Sequence, residues 1–253
     1  MNTGPNTPKV KKIKGRHKAL SSVKKKKGPY KSLLSVMKDK GKWHFDPQKK
    51  SHDAYYLGNT KFSKNTINAV KNALKETSFE DATQIWKQDL KDHTKNLQAW
   101  NKMDAIQYGY TKENTLIKQK MYKTYSEMPT WGKKLVKKTK LKNTTLGLLF
   151  HPVGSVNPWH FDAHTAFTKS YGHTKNKKDQ VYRFLFFLED WDWGHFSQVG
   201  NNVIANWKSG DTYTWDFQMY HLACNAGIKD RYTLQITGMF DQKITSKTKK
   251  FIK

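Results

Sequence analysis

Apolar positions along this chain follow two different periods, and the change between them falls near residue 143. Between residues 63 and 79, Ser63 and Asn65 stand as caps ahead of Ile67, Val70 and Leu74, whose helical spacing predicts an amphipathic helix. From Asp81 to Met103, Trp86, Leu90, His93, Leu97 and Trp100 step by four and three and predict a second helix with a Trp-rich seam, in which His93 reads as a packed residue. Residues 114–128 predict a third helix, stopped by Pro129, and the Lys-rich stretch 133–142 reads as a link into the second half of the chain.

Beyond residue 143 the period is two, with short β-branched and aromatic runs set between Gly, Asn and Asp turns. Eight strands are predicted, at 144–151, 158–166, 181–189, 195–199, 202–207, 211–217, 219–225 and 231–240, with a polar loop over 167–180. The expected class is α+β: a double-stranded β-helix of the jelly-roll or cupin kind, with amino-terminal helices packed on one sheet. The expected organisation is a flexible basic tail over 1–29, a mainly helical region over 30–142, a β core over 143–242 and a basic tail over 243–253.

Charge modifies this picture at its edges only. The 253 residues carry a formal net charge of +27. Residues 1–50 hold 16 basic against 2 acidic side chains, whereas 143–242 hold 8 against 9, so the basicity is peripheral. Only Arg16, Arg183 and Arg231 are arginines among the 47 basic residues, although Arg is the usual phosphate reader. The Lys-rich tail therefore has two readings, a nucleic-acid contact or a solubilising segment. Cys224 is the one cysteine, which excludes an internal disulfide and a cysteine-rich zinc site. No run of about 18 apolar residues predicts a membrane span, and no secretory leader is visible. A cytoplasmic protein is expected, in the host cytoplasm if the gene belongs to a phage.

The candidate chemistry lies in the β region. On a strand, His160 and Asp162 of His160-Phe161-Asp162 share a face, so an imidazole and a carboxylate can hold the same ion, with His221 as a third ligand. Two imidazoles and one carboxylate suit iron(II) with open positions; zinc hydrolases use the same donor types. On the last strand Arg231, Thr233, Gln235 and Thr237 share a face, and a barrel interior lined by Arg and hydroxyls is costly unless an anion occupies it. A guanidinium fork with a Thr hydroxyl two residues on suits a carboxylate. His164 shares the face of the pair and reads as a pocket residue; His151, His173 and His195 read as structural or surface residues. Cys224 reads as a small buried residue, and Trp159, Trp191, Trp193, Trp207 and Trp215 chiefly as core. A bare His-x-Asp is a weak motif, since His44-Phe45-Asp46 repeats it without following strands or an Arg partner.

With His160-Phe161-Asp162, His221 and Arg231-Tyr232-Thr233 in this order, the chain resembles the iron(II)/2-oxoglutarate-dependent oxygenases over roughly residues 144–240. The segment WKSGDTYTWDFQMYHLACNAGIKDRYTLQITG looks most like the aspartyl/asparaginyl β-hydroxylase-like branch and its phage relatives. The resemblance implies iron(II) on His160, Asp162 and His221, with 2-oxoglutarate anchored by Arg231 and Thr233 and helped by Arg183 of VYRFLFF. It implies a hydroxylase that converts 2-oxoglutarate and O2 to succinate and CO2, with a protein side chain as one class of target. Two departures stand out. That branch often has Gly where Asp162 stands and a His two after the upstream Arg, where this chain has Leu185. The complete triad implies hydroxylation rather than halogenation. The competing readings are a non-catalytic basic nucleic-acid-binding or virion-associated protein with a jelly-roll module, and an oxygenase acting on nucleobases.

Overall fold

The computed structural model describes residues 54–80, 105–106, 109–160, 162, 164–171, 181–216, 219–240 and 244. The helix expected over 81–103, His93, the tails and His44 to Asp46 lie outside these residues. In chain order the elements are β1 (Ala54–Asn59), α1 (Lys64–Lys75), β2 (Phe79–Glu80), α2 (Lys112–Thr115), β3 (Ile117–Tyr122), α3 (Thr130–Thr139), β4 (Lys142–His151) and β5 (Val156–His160). They continue with α4 (Thr165–Tyr171), β6 (Val181–Phe187), β7 (His195–Val199), β8 (Asn202–Ile204), β9 (Asp211–Trp215), β10 (His221–Asn225) and β11 (Arg231–Met239).

The strands form two antiparallel sheets, ordered β1-β9-β6-β11-β4-β3-β2 and β5-β10-β7-β8. From β4 onward the chain visits them in the sequence large, small, large, small, small, large, small, large. That winding is a double-stranded β-helix, the barrel of the cupins. Each of the eight strands expected after residue 143 is present, and all but the second lie within three residues of the expected bounds.

Two apolar layers hold the barrel. On the outer face of the large sheet, Tyr182, Phe184, Phe186, Leu188, Leu234, Ile236, Leu146 and Leu148 pack beneath Val70 and Leu74 of α1 and Leu135 and Val136 of α3. Fully burying each such aliphatic or aromatic side chain contributes about 1.5–3 kcal/mol. The Ser63 hydroxyl accepts the Thr66 N–H at 3.2 Å and starts α1, while Lys118 Nζ donates to the Lys75 carbonyl at 3.1 Å and caps its end. Between the sheets, Leu185, Phe187, Val199, Ile204, Trp207, Trp215 and Met219 form a smaller cluster.

Three expectations need correction. Residues 114–128 are not a helix: only Lys112–Thr115 is helical, and Ile117–Tyr122 is a strand paired with β4. The absence of a side chain on Gly147 admits Met121, whose Sδ lies 2.7 Å from where a Cβ would stand, and the ammonium groups of Lys118 and Lys120 lie over the rings of Phe79, Phe150 and Tyr122. Pro129 starts a helix rather than ending one, because the stretch read as a link is α3, and Pro at its cap lacks only an N–H that would have no helical partner. The strand expected over 158–166 ends at His160, where the chain turns through His164 at φ 49° into α4.

Candidate metal centre

β5 and β10 are neighbours in the small sheet, and their register sets His160 directly opposite His221. The two imidazole rings lie 4.3 Å apart between centroids. Asp162 follows β5 by two residues and turns back into the barrel, so that one donor atom from each of the three residues lies within 4.8 Å of the others. All three side chains are buried. The convergence anticipated from a shared strand face is thus achieved for Asp162 by the turn after the strand.

Hydrogen bonds decide which atoms point inward. His160 Nδ1 lies 2.6 Å from the Pro158 carbonyl and His221 Nδ1 lies 2.9 Å from the Met219 carbonyl. Each ring therefore donates its Nδ1–H to the backbone and turns its Nε2 lone pair inward, the orientation in which metal-binding histidines are held; the Asn157 amide nitrogen lies 3.5 Å from His160 Nε2, at the long limit of a hydrogen bond. Asp162 Oδ1 accepts from Arg183 Nη1, whereas Asp162 Oδ2 is buried, lacks a hydrogen-bond donor among the described residues and lies 3.5 Å from His221 Nε2. An orphaned buried carboxylate oxygen facing two imidazole lone pairs is a donor set for a divalent cation.

Protonation favours the same reading. Burial, then the neighbouring His221, lowers the pKa of His160 to about 3; burial also lowers that of His221. Burial alone would raise the pKa of Asp162, but Arg183 and the surrounding histidines hold it well below the usual carboxylate range. Neutral imidazoles beside an ionised carboxylate are the forms that ligate a metal.

Arg183 is engaged along its whole fork. Besides Asp162, its Nε donates to Thr237 Oγ1 at 3.2 Å and its Nη2 lies 3.5 Å from His164 Nδ1. The β6–β11 register explains this, since Arg183 faces Thr237 across the pair. Arg231 is placed differently. It is 3 % exposed; Nη1 donates to the Phe196 and Cys224 carbonyls at 3.0 and 3.3 Å, and Nη2 donates to Ser197 Oγ at 2.6 Å. Its guanidinium carbon lies 5.1 Å from the Trp207 ring centroid and 5.5 Å from that of Phe187. Among the described residues no carboxylate pairs with it, and its Nε has no partner. Burial lowers its pKa to about 10, so it stays cationic at neutral pH. Thr233 is buried two residues along the same inner face.

The remaining sequence candidates separate clearly. His164 is buried beside Arg183, and His195, also buried, has Nε2 2.7 Å from the Lys229 carbonyl. Trp207 and Trp215 are core residues, but Trp193 is 78 % exposed, contrary to the expectation of core packing, because it sits in the turn between β6 and β7. Cys224 is half-buried. His173 lies outside the described residues. Sequence reasoning did not single out Ser197, or a role for His151 beyond structure; both depend on strand register.

No protein-family model matches the chain, and no curated protein matches it in sequence. Solved structures align with it at low identity. A Pseudomonas putida prolyl-4-hydroxylase aligns over 75 % of this chain and 94 % of its own at 10 % identity, with a TM-score of 0.47. For a predicted oxalate decarboxylase from Thermotoga maritima the figures are 66 %, 96 %, 10 % and 0.34, and for a cupin protein from Bacteroides fragilis 42 %, 73 %, 13 % and 0.29. The fold rests on the strand order, and the chemistry on the donor geometry. No helix among the described residues is long and apolar enough to cross a membrane.

Proposed function

We propose that this protein is an iron(II)- and 2-oxoglutarate-dependent dioxygenase that hydroxylates a substrate C–H bond. The overall reaction takes the substrate, 2-oxoglutarate and O2 to the hydroxylated product, succinate and CO2. The observation that carries the reading is one barrel interior with two charge-bearing features. A trio of metal-competent donors lies on one side, and a buried arginine without a counter-ion among the described residues lies on the other. Bound iron(II) would supply the O2 and decarboxylation chemistry.

The chain's own residues do the rest. His160, Asp162 and His221 would hold the ion, and the Pro158 and Met219 carbonyls fix the orientation of both imidazoles. Arg183 holds Asp162 by Oδ1, leaving Oδ2 to ligate; with all three of its nitrogens engaged, we assign it to the carboxylate ligand rather than to the cosubstrate. Arg231 and Thr233 receive the far carboxylate of 2-oxoglutarate. Both residues are buried, and the low dielectric around them would strengthen that ion pair.

Succinate formation from 2-oxoglutarate tests the reading. Turnover should require iron(II) and fall to background in His221→Ala, whose loss of metal is measured in parallel by manganese(II) titration. Iron bound at the trio without turnover across a broad substrate set would instead identify a non-catalytic binding module.

A further inference from the structure

His151 is the last residue of β4, and the β4–β11 register sets it opposite Arg231. In an antiparallel pair such partners share a face, here the inner one. The two are 2 % and 3 % exposed. Among the described residues, both ring nitrogens of His151 lack a partner, as does Arg231 Nε. The other buried histidines of the barrel are held: His160 and His221 by carbonyls, His195 by the Lys229 carbonyl and His164 by Arg183.

Leaving a buried donor or acceptor unsatisfied costs about 1–3 kcal/mol, so three such atoms on facing residues call for a polar occupant. The arginine fixes its sign. Three of the five guanidinium N–H groups are bound to the Phe196 and Cys224 carbonyls and to Ser197, leaving Nε–H and one N–H of Nη2. Burial and the Arg231 charge hold the His151 imidazole neutral, so it offers one N–H donor. These donors match the several lone pairs of a carboxylate.

Position fixes the ligand's length. Arg231 reaches the Cys224 carbonyl, three residues along β10 from His221. At strand rise that is about 10 Å, a span suited to an acid that chelates at one end and accepts hydrogen bonds at the other. We infer that His151 is a cosubstrate-binding residue: its imidazole N–H and the free edge of Arg231 together grip the distal carboxylate of a five-carbon keto diacid. The inference rests on the proposed oxygenase reading of Arg231, and it makes His151 a determinant of selectivity for diacids over keto monoacids.

The test uses the full-length protein loaded with zinc(II), titrated calorimetrically with 2-oxoglutarate and with pyruvate, which lacks the distal carboxylate. His151→Phe should weaken 2-oxoglutarate binding by about 10- to 100-fold while leaving pyruvate and zinc(II) affinities unchanged. His151→Gln, which keeps an N–H donor, should recover most of the loss. Unchanged 2-oxoglutarate binding in His151→Phe, or parallel loss of both acids, overturns the role of His151 and leaves the oxygenase reading standing. Wild-type protein that binds zinc(II) but not 2-oxoglutarate overturns both. Should His151→Phe fail to fold, the wild-type protein answers through its 15N-labelled imidazole. The His151 resonances should shift on adding 2-oxoglutarate and not pyruvate, and their failure to shift overturns the assignment.

Discussion

Asp162 has one oxygen bound by Arg183 and the other directed at His221, so two cations compete for one carboxylate once a metal is present. Removing Arg183 leaves a buried charge without compensation, and breaking such a pair costs about 3–5 kcal/mol. Arg183→Leu should therefore lose roughly that much stability without metal in urea denaturation, and manganese(II) should recover more for the variant than for the wild type. Equal losses with and without manganese(II) would show that Arg183 does not act through Asp162. Among single residues, the three that converge were legible in the sequence, because His160, Asp162 and His221 are ligand-type residues in an ordered motif. The partner of Arg183 was not. It depends on the turn after β5 bringing Asp162 against β6, a tertiary contact that no spacing encodes. His151 was likewise hidden until the β4–β11 register placed it against Arg231.

Among the elements, the strands after residue 143 could be read because period-two alternation and Gly or Asn turns coincide there, as in VYRFLFF and RYTLQITGM. The misread elements are the lysine-rich ones. In β3, Lys118 and Lys120 take the outer face, with their ammonium groups over the rings of Phe79, Phe150 and Tyr122, so polar letters stand beside aromatic surface. In α3, Gly132, Leu135, Val136 and Thr139 supply the buried stripe, short enough among Lys133, Lys134, Lys137 and Lys138 to pass for a basic link. The strands β1, β2 and β3 all precede residue 143 and extend the large sheet at both edges, joining the earlier part of the chain to the barrel. These edges leave the metal trio untouched, because His160 and His221 come from the small sheet.

Across the protein as a body, a buried neutral imidazole cluster links stability to acidity. His160 and His164 titrate in the folded protein only near about 3, and His151 and His221 are also depressed, chiefly by burial. In the unfolded chain they titrate near the ordinary value of about 6.5. Between those limits the unfolded state binds more protons, so their contribution is present above about pH 6.5 and is lost as pH falls toward 3. Urea midpoints of the metal-free protein should fall steadily from pH 7 to pH 4.5, and a flat profile would contradict the neutral cluster. Metal binding needs the same neutral imidazoles, so the stability gained from manganese(II) should shrink over the same window.

The proposed chemistry depends on one barrel interior holding a metal ion and a keto diacid together. A crystal structure of the full chain soaked with manganese(II) and 2-oxoglutarate measures this through the anomalous signal of the metal. Manganese is expected on His160 Nε2, Asp162 Oδ2 and His221 Nε2, with the distal carboxylate of 2-oxoglutarate at Arg231. Manganese bound away from those three residues, or 2-oxoglutarate bound away from Arg231, would refute that arrangement.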